Sequence, residues 1–218
     1  MKYNGESSDM GKYVVYDLEM CRVPTKEARD AFGSRQELIQ IGAVLLDESY
    51  EITDSFITYV KPRYGQIDSF IEKLTGIKPS DVIDAPSTED ALDSFLRWIP
   101  DDATLVSWSM SDPYQLYHEI DGKGIDLPRL EDLLDESIDC QYEFEEKIEA
   151  TRPYGLSEAL SITGIDCDEN IHDALTDASN TALLFRKIIE EPVLSMSKYY
   201  LSENDMSEYM HNAGFGLI

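Results

Sequence analysis

The sequence has little positive charge, little cysteine and no long apolar run. It contains 18 Lys and Arg residues against 44 Asp and Glu, which gives a formal net charge of −26 at pH 7. Because phosphates repel an acidic surface, this balance argues against a protein that holds nucleic acid on a broad basic face. A role on nucleic acid would need local positive charge, which bound divalent cations can supply.

Cysteine is equally scarce. Cys21, Cys140 and Cys167 form no metal-spaced cluster and cannot all pair with one another, so we expect reduced thiols. No apolar run approaches the roughly 20 residues that span a bilayer. The first residues contain no apolar segment of the signal-peptide type. These features argue against a disulfide-stabilised or membrane-spanning protein, and we expect a cytoplasmic one.

What is present is the composition of a globular protein, with 42% hydrophobic residues in a chain of 218. Apolar or alternating segments predict an antiparallel meander of strands near residues 12–20, 38–46 and 51–60, with a long connection between the first two. A buried strand is predicted at 104–108 and a short one at 137–140. Helical patterns lie between and after these later strands.

The helical segments have recognisable ends. A capping box at residues 87–90 opens a helix that ends before Pro100. Another helix is predicted at residues 113–120, and the longest begins near Asp173 and ends before Pro192. Strands first as a meander and then alternating with helices predict one α/β domain, with a mixed sheet covered by helices on both faces.

Asp17 and Glu19 stand at the end of the first predicted strand. Side chains alternate along a strand, so the two carboxylates project from the same face as neighbours. Neighbouring anions repel unless a cation joins them, and hard oxygen ligands suit Mg²⁺ or Mn²⁺. Taken alone, the pair is more typical of a strand that has reached solvent.

Three further residues lie where such a fold could bring them to this pair. Asp112 follows the buried strand and opens the next helix, where a capping role is the commoner one. Asp177 lies in the longest helix, and His172 precedes it by five positions. The two can face one site only if His172 lies on the loop or on the opening turn. A histidine there could act as a general base, although a lone histidine is usually structural or exposed.

In this order, the residues resemble the three motifs of the DEDD-type 3′-to-5′ exonucleases. The motifs are Asp17-Leu18-Glu19, then Asp112 after a Ser-Trp-Ser segment, then His172 followed by Asp177. The resemblance is to the histidine-containing branch, which is DnaQ-like and ribonuclease-T-like. It is strongest to stand-alone members that trim RNA 3′ ends, and it covers residues 13–191. Further segments that resemble this branch are 74–77, 85–86, 155–160 and 172–178.

The resemblance implies a ribonuclease-H-like fold and hydrolysis with two divalent ions, Mg²⁺ or Mn²⁺. Carried over by position, Asp17 would bridge both ions, and Glu19 and Asp177 would complete the first site. Asp112 would support the second site, and His172 would take the proton from the attacking water. The implied activity releases nucleoside 5′-monophosphates from the 3′ end of single-stranded nucleic acid, with RNA favoured over DNA. We divide the chain into a flexible tail (1–11), an exonuclease domain (12–192) and a C-terminal extension (193–218).

Two departures from the family bear on substrate choice. Met20 follows the first motif where the family often has a hydroxyl residue, and Ser109 replaces a frequent glycine. Met20, with nearby apolar residues, is a candidate for contact with the terminal base, and Trp108 is a further candidate for binding the substrate. Arg22 and the basic loop at residues 22–35 are candidates for contact with phosphates. Core packing and solvation explain these residues about equally well.

Other functions remain open from the sequence. One is a proofreading-type DNA exonuclease subunit, and another is a non-catalytic binding or regulatory module on the same fold. A non-catalytic protein has no chemical need of four acids and a histidine, which argues against the binding or regulatory module. An acidic cation-binding protein without nuclease activity is the third, and the chain has no calcium-loop spacing of oxygen ligands to support it. The oligomeric state and a polymerase partner are not determined.

Overall fold

A computed structural model of the protein describes residues 11–166 and 172–197. A five-stranded sheet lies at its centre, in the order β3-β2-β1-β4-β5. The antiparallel meander consists of β1 (Lys12–Arg22), β2 (Gln36–Leu46) and β3 (Ile52–Tyr59). The strands β4 (Ala103–Ser107) and β5 (Ile138–Asp139) continue the sheet parallel to β1. The predicted mixed sheet is confirmed.

Helices cover both faces of this sheet. In chain order they are α1 (Lys26–Phe32), α2 (Ser69–Thr75), α3 (Pro79–Val82), α4 (Thr88–Trp98), α5 (Ser111–Lys123), α6 (Pro128–Asp135), α7 (Cys140–Lys147), α8 (Leu156–Thr163) and α9 (Ala174–Glu190). Alternation along β1 separates two cores. Val14, Tyr16 and Leu18 pack with α4, α5 and α6. Tyr13 and Val15 pack with α7, α8 and α9, and this odd-numbered face continues to the acidic residues of β1.

The connection between β1 and β2 differs from the predicted link. β1 extends to Arg22, β2 begins at Gln36, and α1 occupies part of the segment between them. A side-chain cap at Thr25 begins α1, and Gly33 ends it with a φ of 83°. Phe32 is the buried residue of this helix. Seven residues with one buried side chain give no apolar period, so the sequence pattern could not indicate this helix.

Three other differences concern helix ends and short helices. The short helices α3 and α6 were not predicted, and both begin with proline. α5 begins at Ser111 and ends at Lys123, so it is longer at both ends than the predicted 113–120. Asp112 therefore lies inside its first turn.

Some expectations fall outside the described residues. They concern residues 1–10 of the predicted tail, the thiol of Cys167, and the part of the predicted extension beyond residue 197. The thiols of Cys21 and Cys140 are free and buried. In the described ranges, no helix combines the length and apolar character needed to cross a membrane.

α9 approaches β2 closely at Gly42. A Cβ atom added to Gly42 would lie 2.2 Å from the backbone carbonyl carbon of Ala174, so only glycine fits without displacement of the helix. The buried Gln40 side chain accepts a hydrogen bond of 3.1 Å from the backbone N–H of Ala174. Gly42 and Gln40 are the cross-strand partners of Asp17 and Glu19. These contacts hold the first turn of α9 beside the carboxylates of β1.

Candidate active site

Four carboxylates from three elements converge at the end of β1. Asp17 and Glu19 project from the face that α9 covers. α9 contributes Asp177 and α5 contributes Asp112, each from its first turn. The exposed fractions of Glu19, Asp112 and Asp177 are 8%, 5% and 9%, and Asp17 is partly buried. The cluster is therefore poorly solvated.

His172 lies at the rim of this cluster. It precedes α9 with a φ of 75°, in the left-handed region, and its side chain is exposed. Its backbone N–H donates a hydrogen bond of 3.2 Å to Oδ2 of Asp177. One ligand atom from each of Glu19, His172 and Asp177 lies within 4.8 Å of the other two. The turn before α9 thus brings the imidazole to the carboxylates, which a regular helix over the same residues would not do.

Burial and mutual repulsion raise the pKa of every carboxylate in the cluster. Burial raises the pKa of Asp17 well above its ordinary value, and the charges of Asp112 and Asp177 raise it further. Burial raises the pKa of Glu19 to about 8, and the charge of Asp177 adds to the shift. Burial raises the pKa of Asp112 to about 7. Burial also raises the pKa of Asp177, while the hydrogen bond from the His172 N–H opposes that change.

This donor set fits hard divalent cations. Carboxylates that repel one another in a poorly solvated site can ionise together only when positive charge is added. Carboxylate oxygens suit Mg²⁺ or Mn²⁺ rather than soft-ligand metals. The site therefore has the chemistry to take up such ions, and their binding would reverse the shifts in pKa.

The raised pKa values predict a metal-free protein that loses stability as the pH rises. The folded protein keeps these carboxyl protons to a higher pH than the unfolded chain does, so the free energy of unfolding falls across the interval between the two pKa values. For Glu19 the interval runs from 4.5 to about 8, and for Asp112 from 3.8 to about 7. We expect the melting temperature in chelator to fall between about pH 5 and about pH 8.

Saturating Mg²⁺ is the matched condition for this measurement. The ions favour the ionised carboxylates, so the decline with pH should be smaller when they are present. Glu19→Gln should remove part of the decline in chelator, because the amide does not titrate. A melting temperature in chelator that stays constant or rises over this interval would contradict the prediction.

The predicted substrate residues lie in three different surroundings. Met20 is partly buried against the core formed with α4 and α5. Trp108 packs on the opposite core, with its ring centroid 6.1 Å from that of Phe144. Arg22 is exposed, and its guanidinium lies 4.5 Å from the centroid of the Phe70 ring. Trp108 therefore has a clear packing role, whereas Arg22 is accessible.

Two residues beside the cluster were not among the predicted site residues. Asp173 caps α9 by accepting a 3.1 Å hydrogen bond from the Thr176 N–H, and its charge raises the pKa of Glu19. Gln40 joins β2 to the start of α9, and its amide nitrogen lies 3.4 Å from Oδ2 of Asp173. The available signal for Gln40 is a single polar residue in the apolar run 38–46. The corresponding signal for Asp173 is its capping position directly after His172.

Comparison with known proteins identifies the family. The model of the RNase_T family, described as exonuclease, matches residues 14–185. The chain belongs to this exonuclease family. The matched segment contains the four carboxylates and His172, so the cluster lies within the exonuclease domain.

Relatives of this exonuclease-family chain include a DNA polymerase subunit and an exoribonuclease. The DNA polymerase III subunit epsilon of Aquifex aeolicus is 29% identical over an alignment of 185 residues, which covers 83% of this chain and 82% of that protein. ERI1 exoribonuclease 2 of Xenopus laevis is 32% identical over an alignment of 186 residues, which covers 74% of this chain but 26% of that protein. Across the curated relatives, the matched share of the relative's own length thus ranges widely, from as little as 6% up to 82%.

A solved structure shares the fold. It is the nuclease domain of 3′hExo, described as a DEDDh family member and bound to rAMP. It superposes on this exonuclease-family chain with a TM-score of 0.69 at 21% identity, covering 88% of this chain and 98% of that one. The mixed sheet with helices on both faces is therefore the fold of known exonucleases.

Proposed function

We propose that this chain is a metal-dependent 3′-to-5′ exonuclease of the histidine-containing DEDD branch. The observation that supports the proposal most is the convergence of Asp17, Glu19, Asp112 and Asp177, with His172 at their rim. Gathering four repelling carboxylates in a poorly solvated site costs stability, which a binding module has no reason to bear. The proposed unit is residues 12–192, with the extension 193–218 outside the chemistry.

In this mechanism the four carboxylates would hold two divalent ions, whose chemistry would be to neutralise charge on the phosphodiester and to lower the pKa of the attacking water. Asp17 interacts electrostatically with Glu19, Asp112 and Asp177, so it would contribute its carboxylate to the binding of the ions together with these three. His172 accepts the proton from the water. Its exposed ring can pass the proton to solvent, and the neighbouring Asp177 stabilises the charged imidazolium.

The proposed substrate is the 3′ end of single-stranded nucleic acid, with RNA preferred. This preference follows the resemblance to enzymes that trim RNA 3′ ends and the likeness to an exoribonuclease. A proofreading DNA exonuclease subunit is the second candidate. The reason to keep it is the epsilon subunit of Aquifex aeolicus, because the match extends over 82% of that protein.

The test is digestion of single strands labelled at either end. With Mg²⁺ or Mn²⁺, we expect nucleoside 5′-monophosphates to be released stepwise from the 3′ end, and no release in chelator. Matched RNA, single-stranded DNA and mismatched duplex DNA distinguish the two candidates. His172→Ala should lower the rate by about 10² to 10⁴, the usual contribution of a general base.

Added imidazole should restore part of the rate of His172→Ala, which a purely structural histidine would not allow. Strands that stay intact with either metal, in the presence of folded protein, would refute the proposed activity. Preference for a mismatched duplex over RNA would favour the proofreading candidate.

A further inference from the structure

Positive charge in this acidic chain is concentrated near the carboxyl end of β1. Residues 22–35 and 61–78 each contain four Lys or Arg and two Asp or Glu, so each has a net charge of +2 in a chain of −26. Arg22 forms an isolated β-bridge with Gln66, which brings the two segments together. A local basic surface therefore lies beside the strand that bears Asp17 and Glu19.

A cavity of about 660 Å³ lies within this surface, between α1 and α5. We call it the α1–α5 cavity. Its lining includes Lys26, Arg29 and Asp30 from α1, Ser34 and Arg35 from the following turn, and His118 from α5. Asp30 is the carboxylate of the lining, and the Lys26 ammonium pairs with it at 2.7 Å. The positive charges of Arg29 and Arg35 are therefore not neutralised by a carboxylate of the lining.

The two arginines are held differently. Nε of Arg29 donates a 2.8 Å hydrogen bond to the carbonyl oxygen of Val23, and its Nη2 donates one of 2.6 Å to that of Pro24. Carbonyl oxygens orient this guanidinium without neutralising it. Arg35 is exposed, and no carboxylate in the described ranges lies within ion-pair distance of it. The cavity thus combines one fixed guanidinium with one that is free to close on an anion.

α5 connects the cavity to the carboxylate cluster. Asp112 and His118 lie on the same helix, and six residues separate them by about 9 Å along its axis. The axial part of the separation alone is roughly two to three nucleotide spacings of a stacked strand, and the two side chains also point about 120° apart around the helix, so the strand has to pass around α5. A strand of several nucleotides whose 3′ end lies among the carboxylates is long enough to bring an internal phosphate to the cavity.

We propose that the α1–α5 cavity binds a phosphate of the substrate strand upstream of its 3′ end. Arg29 and Arg35 supply charge-assisted hydrogen bonds, and Ser34 and His118 supply further donors. This inference rests on the proposed nuclease function and goes beyond it. It identifies where a chain of net charge −26 contacts a polyanion apart from the ions.

The test compares Arg35→Ala with wild type on a dinucleotide and on a strand of about 12 nucleotides. Losing one phosphate contact should raise KM for the longer strand about fivefold to tenfold, with kcat unchanged. Hydrolysis of the dinucleotide, which is too short to reach the cavity, should not change. Arg35→Lys should restore part of the affinity. Arg186→Ala, which removes the same charge from α9 on the opposite face of the sheet, is the control.

A second measurement does not depend on cleavage. Fluorescence anisotropy of the labelled 12-nucleotide strand, on an Asp17→Asn background, should show the same loss of affinity for Arg35→Ala. The slope of log affinity against log salt should fall by about 0.7 for the lost phosphate contact. Failure of the proposed nuclease would be seen in the wild-type digestion, whereas failure of the present inference would be seen as unchanged anisotropy.

Free phosphate compounds are the other source of the same chemistry. An equal effect of Arg35→Ala on the dinucleotide and the longer strand would overturn the proposal. Binding of a nucleoside monophosphate or inorganic phosphate that depends on Arg35, without any effect of strand length, would also overturn it. That result would identify a site for a free anion instead.

Discussion

Asp17→Asn is expected to lower kcat by on the order of 10³-fold or more and, in the same protein, to raise the melting temperature measured in chelator. The loss of activity follows from removing the carboxylate that interacts electrostatically with the other three. The gain in stability follows because burial and the charges of Asp112 and Asp177 raise the pKa of Asp17 well above its ordinary value. A neutral amide of the same shape avoids that cost. Opposite signs in activity and stability are the expected mark of a metal-binding carboxylate.

Digestion of an end-labelled strand and thermal unfolding are the two measurements. Asp126→Asn is the matched control, since Asp126 is exposed, and it should change neither quantity. Mg²⁺ should raise the melting temperature of wild type more than that of Asp17→Asn. A variant that keeps a rate within about tenfold of wild type would contradict the role given to Asp17.

Lys123→Met is expected to destabilise the fold by about 3 to 5 kcal/mol, because it leaves two buried carboxylates without a cation. The Lys123 ammonium lies 2.7 Å from Oε1 of Glu37 and 2.6 Å from Oε2 of Glu119. Both carboxylate side chains are fully buried, and that of Lys123 is 6% exposed. Urea unfolding followed by circular dichroism measures the change.

Lys26→Met is the control for this prediction. The ion pair of Lys26 with Asp30 has the same length, 2.7 Å, but its side chains are 82% and 63% exposed. Its loss should change the free energy of unfolding by less than about 1 kcal/mol. Adding Glu119→Gln to Lys123→Met should recover part of the loss, since one uncompensated charge is then removed. Equal losses for the two lysine variants would show that burial of the triad does not matter.

The elements that the sequence could predict are those with many buried residues at regular spacing. The long helix α9 and the central strands β1 and β2 bury most of one face or both faces, and their patterns are clear. α1 and α3 have seven and four residues and depend on the contacts at their ends, so no helical period of apolar residues predicts them. The length of α5 was underestimated because its last turn is polar and includes the buried Lys123.

The same distinction applies to the site. The order of the acidic motifs along the chain predicts the four carboxylates and His172 as site residues, and the fold brings these residues close together. Gln40 and Gly42 could not be predicted in this way, since their contribution depends on which residues they face across the sheet. Strand register and the position of α9 on the sheet depend on contacts between residues far apart in the sequence, so the pattern of a single sequence does not predict them.

The close approach of α9 to β2 at Gly42 bears on which substitutions this chain can accept without moving its acidic residues. At that point α9 touches β2 through main-chain atoms, and this contact helps to fix the distance between Asp177 and the acids of β1. The apolar residues under the helix, such as Leu184 and Phe185, can then be exchanged for others of similar size with little effect on that gap. Substitutions in the apolar core under α9 are therefore expected to leave the spacing of the acidic residues almost unchanged.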